Sequence, residues 1–206
     1  MTRFVTIESV AAFLPEPNVD TDAIYPARYL LLMDRDGLGP YLFRDRRFHQ
    51  NGAPKEDFIL NQEPFSRAQV LIGGPAFGCG SSREQAVWAL TSFGIGCVIA
   101  PSFGEIFAGN APKNGLLTIV LPEETVLRLG EAAQRGALFR VDLEARALWV
   151  DDGMVATIDI PEGRRAALLN GWDEIDILLR EEGEAIAAFE TQHRDAQPWL
   201  FQERQE

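Results

Sequence analysis

A mixed α/β fold is predicted by three features of this 206-residue chain. A strand-like run, Val70-Leu71-Ile72, leads into a glycine-rich turn, an apolar helix and another strand, the order of a right-handed βαβ unit. Further on, three short strand-like runs follow one another with turn residues between them. Helical segments flank that cluster, so one core should hold both parallel and antiparallel strand pairs. A chain of this length can bury such a core as a single domain. We expect one domain over residues 1–195 and a flexible tail over 196–206.

Taken in order, Phe4-Val5-Thr6-Ile7 reads as a short strand, and Pro15-Glu16-Pro17 interrupts the chain after it. Asn18, Asp20 and Asp22 can bond local backbone groups, so Asn18 to Pro26 should form a shaped loop. Arg28 to Met33 suits one helical turn, and Asp34 to Pro40 is a loop. The βαβ unit takes Ala68 to Ile72 as a strand, Ser82 to Phe93 as a helix and Cys97 to Ala100 as the next strand. Ser82 and Gln85 have the spacing of a capping box, and Gly94 and Gly96 suit the helix end. Apolar residues surround much of this helix, which should be buried on more than one side. Ser102 and Glu105 form a second capping-box candidate, opening a helix through about Ala108. Leu116 to Leu121 is a strand, and Pro122-Glu123-Glu124 opens a helix that stops near Gly136. Leu138 to Leu143, Ala147 to Val150 and Val155 to Ile160 are the clustered strands. Helices are expected over Glu162 to Leu169, Glu174 to Leu179 and Glu182 to His193.

Charge narrows the range of partners. A net charge of −12 argues against nucleic acid or an anionic membrane surface. An anionic substrate would need a local pocket of arginine, because Lys55 and Lys113 are the only lysines. No apolar stretch approaches the ~20 residues of a membrane span, and no secretory leader is recognisable. Two cysteines, Cys79 and Cys97, make neither a disulfide framework nor a metal or cluster site. The cytoplasm is the expected location.

The chemistry concentrates between Gly73 and Phe93. Gly73, Gly74, Gly78 and Gly80 fall within eight residues, and glycine lets the backbone approach a small ligand closely. Ser81, Ser82 and Arg83 follow at a helix start, where backbone amides favour negative charge. The bland alternative is a tight connection with a serine cap. A cap needs one hydroxyl, however, and a cation is disfavoured in the first turn unless an anion sits there too. Arg83 would supply a planar fork for a carboxylate or phosphate. The stretch lacks the lysine of a P-loop and the second glycine of a G-x-S-x-G elbow.

These residues carry a family resemblance. Phe77-Gly78-Cys79-Gly80-Ser81-Ser82-Arg83-Glu84, then Ala100-Pro101-Ser102-Phe103, resembles the small subunits of 3-isopropylmalate dehydratases, in the aconitase superfamily. Asn18-Val19-Asp20-Thr21-Asp22-Ala23-Ile24 with Pro26 is similar to their N-terminal motif, and the likeness runs over roughly residues 4 to 191. The resemblance implies a swivelling β/β/α domain that closes over a large subunit with a [4Fe–4S] cluster, and no cofactor on this chain. It implies interconversion of 2-isopropylmalate and 3-isopropylmalate by dehydration and rehydration in leucine biosynthesis. Ser81 would remove the proton next to a carboxylate, with Asp22 in the acid–base network. Ser82, Arg83, Arg35 and Thr21 would bind the dicarboxylate, and Gly78 and Gly80 would form the backbone cradle. Loss of hydroxide needs a Lewis acid, and this chain offers no metal-ligand set, which again calls for a partner.

The sequence departs from the family at Gly74-Pro75-Ala76, where a charged residue and Glu-Asn are common, and at Gln85, where histidine is common. Tyr25 replaces an aliphatic residue before Pro26. A related hydro-lyase for citraconate, maleate or a substituted malate is the nearest alternative. A non-catalytic anion-binding module is the next.

Overall fold

The computed structural model describes residues 3, 4, 6–32 and 34–201. Strand β1 (Thr6–Leu14) is followed by two single-turn helices, α1 (Thr21–Ile24) and α2 (Arg44–Arg47), set among short 3₁₀ turns. Then come β2 (Val70–Gly73), α3 (Glu84–Phe93), β3 (Cys97–Ala100), α4 (Glu105–Lys113), β4 (Leu117–Val120) and α5 (Glu123–Gln134). The clustered strands are β5 (Leu138–Asp142), β6 (Ala147–Val150) and β7 (Gly153–Thr157), and α6 (Glu162–Asn170) and α7 (Glu174–Ala196) close the order.

All seven strands form one sheet in the order β4-β3-β2-β1-β5-β6-β7. β1 joins its two halves. Ala11 to Leu14 pair in parallel with β2, while Thr6 to Val10 pair antiparallel with β5. Strands β1 to β4 are parallel neighbours, and β5, β6 and β7 form an antiparallel meander. This is the mixed sheet expected from the order of elements.

The parallel strands are covered on both faces, which explains their unbroken apolar runs. Leu71 and Val98 point toward α3 and α4, whose Leu90 and Phe107 lie in the same cluster. Val70, Ile72 and Ile99 point the other way, onto Val126 and Leu129 of α5. Five successive residues of α3, Ala86 to Leu90, are buried, as its all-round apolar character predicts.

Several boundaries differ from expectation. β1 runs to Leu14, well past Ile7, because Ala11 and Ala12 are fully buried although alanine has little strand preference. Val5 and Met33, each inside an expected element, lie outside the described residues, as do 202–206 of the expected tail. A 3₁₀ turn covers Ala27–Tyr29, and another covers Pro198–Phe201. β7 starts at Gly153 and stops at Thr157, so Ile158 and Ile160 are core residues beyond the strand. The two helices expected over Glu174–Leu179 and Glu182–His193 are one. Asp173 and Asp176 close a true capping box at its start, and Gly183 passes through its exposed middle.

Neither serine capping box forms. α3 begins after Arg83, which is extended and makes no side-chain cap bond, so Ser82 stands before the cap position. α4 begins after Gly104, and the Ser102 hydroxyl instead accepts from the Ala76 amide at 2.9 Å. In both cases a tertiary demand on the loop displaced the local motif.

Phe139, fully buried where β5 meets β1, joins the two halves of the sheet. Phe139→Ala should lower unfolding free energy by about 3–5 kcal/mol, read from the urea midpoint.

Candidate active site

The turn between β2 and α3 leaves the carboxyl end of β2, where α/β sheets bind ligands. Backbone hydrogen bonds hold it from two sides. On one side the Asn18 amide donates to the Pro75 carbonyl at 2.8 Å, Gly78 to Val19 at 2.7 Å and Thr21 to Cys79 at 2.8 Å. On the other, the Phe77 amide donates to the Ser102 carbonyl at 3.1 Å, and the Gly104 amide to Phe77 at 2.9 Å. The two motif segments, far apart in sequence, thus share one backbone ladder.

Gly78 and Gly80 take left-handed φ values of 72° and 96°. A Cβ on Gly78 would strike the Phe107 ring, so that position demands glycine for space as well as for backbone. Ala76 also has a left-handed φ, 55°, without glycine's freedom. The family resemblance implies asparagine at this position, a residue that tolerates this conformation better.

The side chains converge as follows. Thr21 is 3% exposed, and its hydroxyl donates to the Ser81 carbonyl at 2.9 Å. That hydroxyl pins the backbone of Ser81. Ser81 and Ser82 are themselves exposed, and among the described residues neither hydroxyl has a hydrogen-bond partner. Arg83, largely buried, forms an ion pair with Asp22 and also reaches the Tyr25 carbonyl at 3.4 Å. Asp22 accepts a second bond, from the Ala27 amide at 2.7 Å. The Arg83 guanidinium, then that amide, hold the Asp22 carboxyl below its usual range. No side chain caps α3, and of its first-turn amides that of Ala86 donates to the Arg83 carbonyl at 3.3 Å, which leaves those before it as available donors.

Tyr25, where the resemblance implies an aliphatic residue, is fully buried and donates its hydroxyl to the Tyr29 carbonyl at 2.9 Å. It forms an aromatic trio with Tyr29 and Tyr41 behind the Arg83 contact. Arg35 is not brought to this cluster. Its guanidinium stacks 4.4 Å over the Trp88 ring, beside a cleft of about 480 Å³ that includes Ile7, Ile95, Gly96 and Asn114. Those residues mark the amino ends of the parallel strands, opposite the glycine turn.

Sequence reading missed the backbone donors and acceptors of the site, namely the Ala27 amide and the Tyr25 carbonyl. Pro26 between them was the available signal, since it imposes the extended turn that presents both. It also missed Arg47, a buried guanidinium bonded to Asn61 and to the Gly39 and Leu42 carbonyls, which ties the loops over α3 together.

Comparison with known proteins follows the same residues. The Aconitase C-terminal domain model matches residues 1–124, and the model for the C-terminal domain of the 3-isopropylmalate dehydratase small subunit matches 181–203. The 3-isopropylmalate dehydratase small subunit of Rhodospirillum centenum is 50% identical, over 98% of this chain and 100% of that protein. The chain belongs to the 3-isopropylmalate dehydratase small-subunit family. Its counterpart in Parvibaculum lavamentivorans is 48% identical over 97% of this chain and 100% of that one. A crystal structure of 3-isopropylmalate dehydratase from Methanocaldococcus jannaschii superposes with a TM-score of 0.65 at 26% identity, covering 90% of this chain and 99% of that one.

The two cysteines do not suit the [4Fe–4S] cluster that the family resemblance implies. Cys97 is fully buried in β3, where burial pushes its thiol up, and Cys79 lies in the glycine turn. Among the described residues, no three His, Cys, Asp or Glu side chains group as a metal site. No helix among them is long and apolar enough to cross a membrane.

Two measurements test this geometry. Ala76→Asn should raise stability by about 0.5–1 kcal/mol in urea, by relieving left-handed strain without disturbing the turn. Because the folded Asp22 value is depressed, its stabilising contribution is complete above the ordinary carboxylate pKa of about 3.9 and disappears as pH falls through the lower folded value. A carboxyl NMR titration should therefore place Asp22 below that ordinary value, and Arg83→Ala should move it back up.

Proposed function

We propose that this chain is the small subunit of a two-chain hydro-lyase that interconverts 2-isopropylmalate and 3-isopropylmalate by dehydration and rehydration, in leucine biosynthesis. The observation that carries this reading is the Arg83–Asp22 pair beside two unengaged hydroxyls and the uncapped start of α3. Arg83 and the α3 amides bind one substrate carboxylate, with Ser82 as a further donor. Asp22 orients the guanidinium and is itself oriented by the Ala27 amide. Ser81 takes the proton adjacent to the carboxylate onto its Oγ and holds it for return during rehydration. A serine base must act as its alkoxide, which the positive end of α3 and Arg83 favour electrostatically. Gly78 and Gly80 shape the cradle, and Thr21 acts by fixing Ser81, because its hydroxyl is already engaged. Arg35 stays outside this assignment.

Departure of the hydroxyl belongs to the other half of the site. We place that half, with its [4Fe–4S] cluster, on a large subunit, since the cysteines of this chain do not suit it. The cytoplasm is the compartment that fits a biosynthetic enzyme with two free cysteines.

Co-expression with the large subunit should give a complex that isomerises isopropylmalate, whereas this chain alone should be inactive. In that complex Ser81→Ala should lower kcat by about 10²–10⁴-fold with the unfolding midpoint unchanged, because the Ser81 hydroxyl supports nothing in the fold. Arg83→Ala should raise KM as well. Undiminished activity in Ser81→Ala would point to a non-catalytic anion-binding module. Turnover of citraconate or maleate in place of isopropylmalate would keep the family chemistry and change the substrate.

A further inference from the structure

α7 is amphipathic, yet its apolar side faces water. Leu178 and Leu179 lie three and four residues after Ile175, Ile186 lies seven after Leu179, and Phe189 lies three after Ile186. These spacings align the five along one side of a helix. Ile175, Leu178, Leu179 and Phe189 are 62%, 47%, 55% and 64% exposed, and no residue of the helix is buried. Such a stripe ordinarily faces the core of its own domain. At the far end the chain turns back, so that His193 packs between Phe189 and Phe201, with centroids 5.4 and 5.5 Å away. This extends the apolar surface and does not cover it. Glu182, four residues after Leu178 and four before Ile186, lies on the same side and divides it into two apolar clusters with an acidic group between them. Exposed apolar surface bordered by charge marks an interaction site.

Charge narrows the occupant. From Asp173 to Ala196 the chain carries eight acidic side chains and two arginines, a net charge of −6 and half of the total of −12. A second copy would set one acidic helix against another, and repulsion opposes that pairing. The complementary surface is an apolar groove rimmed with lysine and arginine. The segment's distribution points the same way. The match to the aconitase C-terminal domain ends at residue 124, whereas residues 181–203, which take in the second half of α7, match a region defined in 3-isopropylmalate dehydratase small subunits. That half of the helix is thus shared with small subunits, whose name implies a separate partner chain.

Position separates this surface from the chemistry. α4 starts beside the glycine turn and ends at Lys113, which is paired with Glu174 at the start of α7 at 2.6 Å. α7 therefore springs from the body about one length of α4, ~13 Å, from the turn. We propose that the apolar side of α7 docks in a basic-rimmed groove of the large subunit and holds the two chains together independently of the catalytic loop. This rests on the reading that the chain works with a large subunit.

The test uses the full-length chain and the intact complex. Leu178→Gln, Leu179→Gln and Phe189→Gln are combined, with Glu184→Gln on the opposite side of α7 as control. The half-saturating concentration of large subunit should rise at least tenfold in the triple variant, and that of the wild type should rise with added salt. When the large subunit is saturating, kcat should be unchanged, and so should the melting temperature of the small chain, because these side chains are exposed. Unchanged half-saturation in the triple variant, while the wild type binds, overturns this inference alone. So does a wild-type chain that sediments as a dimer and becomes monomeric in the triple variant. A wild-type chain that does not bind the large subunit overturns the inference and the functional reading together.

Discussion

The glycine turn after β2 has no regular structure of its own and is held by backbone hydrogen bonds from both neighbours. Val19 and Thr21 clamp one edge, and Ser102 and Gly104 clamp the other. The clamp works only where backbones approach closely. A Cβ on Gly104 would lie against the Gly78 carbonyl and 2.8 Å from the Cys79 Cα. Everything polar in the site depends on this. The same ladder that fixes Cys79 delivers Thr21 to the Ser81 carbonyl and brings Asp22 within reach of Arg83.

Holding the loop through its backbone leaves the side chains of Ser81 and Ser82 unspent. A loop secured by serine caps would have consumed those hydroxyls and filled the amides of α3. Here the cost of an uncapped helix, about 1 kcal/mol, is offset by packing of five consecutive buried residues in α3. The result is a donor-rich helix start beside a guanidinium, with Asp22 as the resident counter-charge. Because Asp22 is more than half exposed in its side chain, an incoming carboxylate can compete for Arg83 without desolvating a buried pair.

The molecule concentrates different properties at its two ends. At the carboxyl ends of the parallel strands are the cradle and its arginine. At the other end Arg35 rests on Trp88, and α7 leaves the body with its apolar stripe uncovered.

The α/β class, the βαβ unit and the glycine turn between its strand and helix were legible in the sequence because each rests on local rules. Apolar runs between turn residues marked the strands, and glycines beside Ser81, Ser82 and Arg83 marked the turn. The single domain over 1–195 and the tail beyond it stay an expectation from length alone. The sequence misled where local and tertiary preferences compete. Ser82 and Ser102 had cap spacing, but the backbone ladder set the chain's path and left neither at a cap. Arg35 lay near the N-terminal motif in sequence, yet β1 and the loops over α3 carry it to the opposite end of the strands. Residue types and their spacing thus determined which chemistry was available. Which hydroxyl stayed free, which was spent on a carbonyl and which arginine met Asp22 were decided only when distant backbones met, because hydrogen bonds reach about 3 Å whatever the separation along the chain.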